Sequence, residues 1–130
     1  MISDITRRVR FEAAHYLPNH PSKCQRMHGH SWQAWVTLRG EVHEDGQDQG
    51  LIVDMGDVGR FFANELEPHL DHHVLNETLP EEYQPPTTEN VARYLFDRFV
   101  DRFPEVVEVR VVETENQSAT FRASDNDTVV

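Results

Sequence analysis

The sequence is poor in cysteine, in basic residues and in long apolar runs, and each shortage closes off a class of protein. Cys24 is the only cysteine in 130 residues, so no disulfide forms within the chain, which suits a reducing cytoplasm. Lys and Arg number 12 against 23 Asp and Glu, a formal charge of -11 at pH 7 with His neutral. That balance argues against nucleic acid as a standing partner, and it means that an anionic ligand must be met by local positive charge. No uncharged apolar run approaches the ~20 residues that span a bilayer, which argues against a membrane. Met1-Ile2-Ser3-Asp4 lacks the basic-then-apolar pattern of a secretion signal, so a cytoplasmic protein is expected. With no internal repeat or linker, the length predicts one domain over residues 1–130, with its core over 5–122 and a frayed polar tail in the last seven residues.

What is present is a clear order of periodicities. Residues 5–14 alternate as a half-buried strand ending at His15, and a second strand runs from Gly29 to about Val42. Between them, Pro18, Asn19, Pro21 and Ser22 mark a loop. Asp54 and Asp57 resemble a capping box, and Val58, Phe61, Phe62 and Leu66 at helical spacing predict a helix over 55–67, stopped by Pro68. Thr87 caps a second predicted helix, with Glu89 in its first turn and a stripe of Val91, Leu95, Phe99 and Phe103 ended by Pro104. Val107, Val109 and Val111 predict a third strand ending near Glu113, and residues 118–123 a fourth. The order β-β-α-α-β-β predicts an α+β fold, an antiparallel sheet with both helices on one face. Its two open edges predict a homo-oligomer.

The chemistry concentrates in Cys24-Gln25-Arg26-Met27-His28-Gly29-His30. Two histidines one residue apart on a strand point to the same side, and His15 closes the preceding strand. Three imidazoles with an open position are the ligand pattern of catalytic zinc. Cys24, in a polar loop beside Lys23 and Arg26, is either a fourth ligand or a nucleophile or base beside the metal. Asp71-His72 forms an acid–imidazole pair suited to proton transfer, and Glu113 offers a carboxylate to a paired donor edge such as an amino-pyrimidinone. His20 and His43 lie in loops without an evident partner and read as solvated.

Five ordered pieces then carry a resemblance: Phe11-Glu12-Ala13-Ala14-His15, Cys24-x-x-x-His28-Gly29-His30, Leu70-Asp71-His72-His73-Val74-Leu75-Asn76, Pro86-Thr87-Thr88-Glu89-Asn90 and Val112-Glu113-Thr114. Together they resemble the 6-pyruvoyltetrahydropterin synthase family over about residues 5–122. The three-residue gap between Cys24 and His28 is similar to the bacterial 6-carboxy-5,6,7,8-tetrahydropterin synthase branch of queuosine biosynthesis. Trp32 departs mildly from the Phe or Tyr common at its position. The resemblance implies the tunnelling fold, oligomeric barrels that are usually dimers of trimers, and active sites at subunit boundaries. It implies Zn2+ on His15, His28 and His30, Cys24 as general base, and Asp71 with His72 as proton relay. It also implies a pterin triphosphate substrate, with Glu113 anchoring the pterin ring and Thr87, Thr88 and Glu89 lining its pocket. Arg7, Arg10 and Arg26 are candidates for holding the triphosphate. The implied reaction converts 7,8-dihydroneopterin triphosphate to 6-carboxy-5,6,7,8-tetrahydropterin, acetaldehyde and triphosphate. The alternatives are an enzyme that stops at the pyruvoyl product and a zinc-stabilised pterin-binding protein without turnover.

Overall fold

A computed structural model describes residues 1–126; the outer part of the predicted tail, residues 127–130, lies outside the described residues. Strand β1, Ile2–His15, turns through a loop into β2, His28–Glu41, Ile2 pairing with Glu41 at one end and His15 with His28 at the other. Alternation along both strands sends Val9, Phe11, Ala13 and His15, with Trp32, Ala34, Val36 and Leu38, to one face, where all are buried. β4, Val106–Thr114, pairs antiparallel with β2, and β5, Gln117–Arg122, pairs antiparallel with β4.

The sheet has five strands, not four, in the order β3-β1-β2-β4-β5. The added strand, β3, is only His73–Val74 and runs parallel to β1 beside Ala13 and Ala14. Two residues carry no readable period, so the sequence could not show it. β3 covers little of β1, and most of that strand, like β5, remains an edge.

Helices cover the buried face. Helix α1, Met55–Phe61, starts at Asp54, whose side chain accepts from the Gly56 N–H at 2.8 Å. Asp57 does not complete the expected box; its carboxylate pairs with Arg60 instead. Pro68 does not end the helical path either. The chain passes through a π-helical turn, Phe62–Leu66, into helix α2, Glu67–Leu70, with Pro68 in its first turn. There its missing N–H leaves no bond unmade, and the wide turn absorbs the change of pitch. After β3 come a single turn, α3, Leu75–Thr78, and a long helix, α4, Thr88–Arg102. Thr87 caps α4 by accepting from the Asn90 N–H at 3.1 Å, as the sequence predicted.

Val91, Leu95 and Phe99 of α4 are fully buried with Leu38, Val58, Leu66 and Val109 in one continuous core. Each such side chain contributes about 1.5–3 kcal/mol by leaving water. A register shift near Thr37–Leu38 alters the predicted β4 pattern. Val106 joins Val109 and Val111 in the core, while Val107 is only half-buried. Among the described residues no helix is long and apolar enough to cross a membrane.

Candidate metal centre

Strand pairing assembles the site. His15 faces His28 directly across the β1–β2 ladder, and His30 lies two residues along on the same face. The three rings meet edge to face, with centroids 4.6 Å apart for His15 and His28, 5.1 Å for His15 and His30 and 4.8 Å for His28 and His30. Trp32 floors the cluster, 4.9 Å from His15 and 5.7 Å from His30, and itself stacks on Phe11 in the core. The histidines therefore stand on apolar packing, where water does little to screen charge.

Glu113 joins them. It shares the parity of Val109 and Val111 and so turns inward at the end of β4. Its Oε1 lies 2.9 Å from Nε2 of His15 and 2.9 Å from Nε2 of His30, while Oε2 accepts a 2.7 Å hydrogen bond from the Thr88 hydroxyl. The ligand atoms of His15, His28, His30 and Glu113 all lie within 4.8 Å of one another.

The protonation pattern tests whether a cation fits. Nδ1 of His15 donates to the Pro86 carbonyl at 2.7 Å, and Nδ1 of His28 donates to the Arg26 carbonyl at 2.7 Å. A carbonyl only accepts, so in the neutral rings Nδ1 holds the proton and Nε2 carries a lone pair. Nε2 of His15 and of His30 are buried without a hydrogen-bond partner. The His15 lone pair, turned toward a carboxylate oxygen, repels it unless positive charge lies between them. Burial lowers the His30 pKa and favours the neutral, ligating ring. Positive charge at Nε2 of His15, a proton or a bound cation, then the Thr88 hydroxyl, holds Glu113 down to about 2, against burial, which pushes it up. The donor set fits a metal ion.

Cys24 reaches the same place. The short turn Lys23–Gln25 is capped by Ser22 and leaves Cys24 half-buried. A cleft of about 500 Å³ is lined by Lys23, Cys24, His28, His30, Glu113 and Gln117, among others. His20, read as lacking a partner, holds the Ser22 hydroxyl at 2.7 Å.

Asp71 and His72 are brought to each other but not to Cys24. They sit between α2 and β3, and His72 lines a second cleft with Glu12, Gly29, His30 and Ser31. Asp71 accepts from the Glu12 N–H at 2.8 Å and from His72 Nδ1 at 2.7 Å. His72 holds a left-handed backbone, φ 60, which is uncommon for a residue with a side chain. The Glu12 N–H, then His72, lower the Asp71 pKa, and the Asp71 carboxylate raises that of His72. Asp71→Asn removes the charge that favours imidazolium. In that variant the His72 ring, followed by NMR, titrates at lower pH than in the parent; an unmoved titration removes Asp71 as its partner.

The pterin-pocket candidates divide. Thr88 touches Glu113, Thr87 is occupied as the α4 cap, and Glu89 is exposed beside Asn116 and Gln117 in a separate cleft. Among the phosphate candidates, Arg7 is half-buried, its guanidinium lying over Gly59 and donating to the Met55 carbonyl at 2.8 Å. Arg10 and Arg26 remain exposed. The carbonyls of Pro86 and Arg26, which orient two histidines, had no signal in the sequence, since any residue supplies a carbonyl.

The family profile of 6-pyruvoyl tetrahydropterin synthase matches residues 4–124. The chain belongs to the 6-pyruvoyl tetrahydropterin synthase family. Its α+β architecture is that family's tunnelling fold: the structure of the Caenorhabditis elegans 6-pyruvoyl tetrahydropterin synthase superposes with a TM-score of 0.81 at 25% identity, covering 94% of this chain and 96% of that one. The sequence is 33% identical over 113 residues to the 6-carboxy-5,6,7,8-tetrahydropterin synthase of Synechocystis sp., covering 85% of this chain and 86% of that protein. It is 27% identical over 130 residues to the 6-pyruvoyl tetrahydrobiopterin synthase of Dictyostelium discoideum, covering 91% and 94%. Both kinds of family activity are thus represented among its relatives.

Proposed function

We propose that the protein is a zinc-dependent 6-carboxy-5,6,7,8-tetrahydropterin synthase, acting as one tunnelling-fold domain within a homo-oligomer, a hexamer by family resemblance. It converts 7,8-dihydroneopterin triphosphate and water to 6-carboxy-5,6,7,8-tetrahydropterin, acetaldehyde and triphosphate, a step toward queuosine in the cytoplasm. The observation that carries this reading is the gathering of three imidazoles and a carboxylate into one cluster, two of those imidazoles and the carboxylate lining one cleft with the only thiol. The gap of three residues between Cys24 and His28 and the Synechocystis relative favour the carboxy branch over the pyruvoyl one.

His15, His28 and His30 would hold the metal; imidazole ligation favours zinc. Bound there, it supplies Lewis acidity that makes protons on hydroxyl-bearing carbons easier to remove. The Cys24 thiolate takes a carbon-bound proton. Glu113, oriented by Thr88, accepts the 2-amino and N3 hydrogens of the pterin, which fixes the ring and leaves the side chain toward Cys24. His72, kept basic by Asp71, returns a proton as triphosphate departs. Because the exposed His72, backed by half-buried Asp71, lines a different cleft from Cys24, the pair would serve a neighbouring copy's site, in keeping with sites at subunit boundaries. The edges of β1 and β5 are suited to that assembly.

The test is a mass-spectrometric product assay on zinc-loaded protein with 7,8-dihydroneopterin triphosphate. Carboxy-tetrahydropterin with acetaldehyde is the expected result. Pyruvoyl-tetrahydropterin would assign the other branch, and no product from an intact, zinc-loaded oligomer would leave a pterin-binding protein.

A further inference from the structure

Asn76 lies 60 residues from Tyr16 in sequence, yet its side chain grips that residue's backbone at both polar groups. Asn76 Oδ1 accepts from the Tyr16 N–H at 2.9 Å, and Asn76 Nδ2 donates to the Tyr16 carbonyl at 2.8 Å. The parallel pairing of β1 with β3 stops at Ala14 and Val74, so the carboxamide continues the ladder where the backbone has left it. Both of its polar atoms are used, which fixes its orientation. The residue is itself held from behind. Gln84 Nε2 donates to the carbonyl of Asn76 at 3.1 Å and also to those of Leu75 and Leu79.

Tyr16 is the first residue after His15 and the root of the loop that delivers the thiol. The next residue, Leu17, gives its N–H to the Cys24 carbonyl at 2.8 Å, closing the loop on itself, and Gln25 Nε2 reaches the Pro18 carbonyl at 3.1 Å. A path of hydrogen bonds, joined by the Tyr16–Leu17 peptide bond, therefore runs from Gln84 through Asn76, Tyr16 and Leu17 to Cys24. At its far end the Arg26 carbonyl accepts from His28 Nδ1, and the loop's other polar contacts, such as Ser22 with His20, lie within the loop. Asn76 is the tie from its root to the α3 segment, and loss of that tie frees the loop to shift relative to the histidines.

We propose that Asn76 is a positioning residue for Cys24, its carboxamide setting through Tyr16 and Leu17 where the thiol stands relative to the metal cluster. The proposal rests on the reading of Cys24 as the base. Displacing a reacting group by about 1 Å is enough to cost about 10²-fold in rate. Zinc-loaded Asn76→Ala is therefore expected to keep its zinc and its KM for 7,8-dihydroneopterin triphosphate while kcat falls by about 10²-fold. Because Cys24 is the only cysteine, the rate of alkylation by iodoacetamide reports this thiol alone, and it is expected to change in the same variant. A folded Asn76→Ala protein with the parent's alkylation rate and kcat overturns the proposal. So does one that loses zinc together with turnover, which would place the effect on His15. Should the alanine variant not fold, Asn76→Asp carries the test: it keeps the acceptor for Tyr16 N–H and sets an oxygen against the Tyr16 carbonyl, and the same changes are expected. The alkylation comparison needs no substrate, so it decides the proposal even if the parent protein turns out not to convert this pterin.

Discussion

Replacement of Cys24 by alanine is expected to leave zinc content and substrate binding intact and to lower kcat by about 10²–10⁴-fold, the range a positioned acid or base contributes. The reasoning begins from placement. A cysteine in a core would be inert packing, whereas Cys24 is half-buried on a capped turn and lines the cleft that holds His28, His30 and Glu113. The histidines are oriented by carbonyls of Pro86 and Arg26 and not by the thiol, so its removal leaves the metal donors in place. Substrate affinity rests in this reading on Glu113 and the metal, again independent of sulfur. The variant should thus separate binding from turnover, measured by calorimetry with the intact substrate and by product formation under saturating conditions. Turnover within about tenfold of the parent is below what a lost base costs and would take Cys24 out of the mechanism. Loss of zinc would instead make it the fourth ligand, the alternative its sequence position left open.

The parts of the site that could be read in the sequence are those governed by strand period. His28 and His30 sit one residue apart, and His15 ends the partner strand, so pairing alone brings the rings together. Glu113 was legible for the same reason, by its parity with Val109 and Val111, although what it faces was not. Features set by tertiary packing were hidden. Pro68 reads as a helix stop, but a π-helical turn admits it at the start of α2. Arg7 reads as a free cation, but its partner is the Met55 carbonyl on a helix 48 residues away. β3 is too short to have a pattern, and without it neither the position of His72 nor the grip of Asn76 on Tyr16 can be inferred. Asp71 and His72 were recognised as a pair, but adjacency in sequence says nothing of which cleft they face.

Removing two metal donors at once is the second large effect. A chain carrying His28→Ala and His30→Ala is expected to retain no zinc through dialysis and no activity. It keeps one imidazole and one carboxylate, short of the three protein ligands that catalytic zinc sites use. A single His28→Ala chain is a finer probe, because His15, His30 and Glu113 would still offer two imidazoles and a carboxylate, itself a known catalytic set. Glu113 is already within 2.9 Å of both remaining rings and braced by Thr88, so the single variant should weaken zinc without abolishing it. The loss in affinity should be at least about 10²-fold, since removing a ligand costs no less than the largest outer-shell changes. Metal analysis after dialysis against a graded chelator reads both results. Parent-like zinc affinity in the double variant would show that the metal lies elsewhere, and the buried Nε2 atoms of His15 and His30 in the parent would then need a proton in place of a cation.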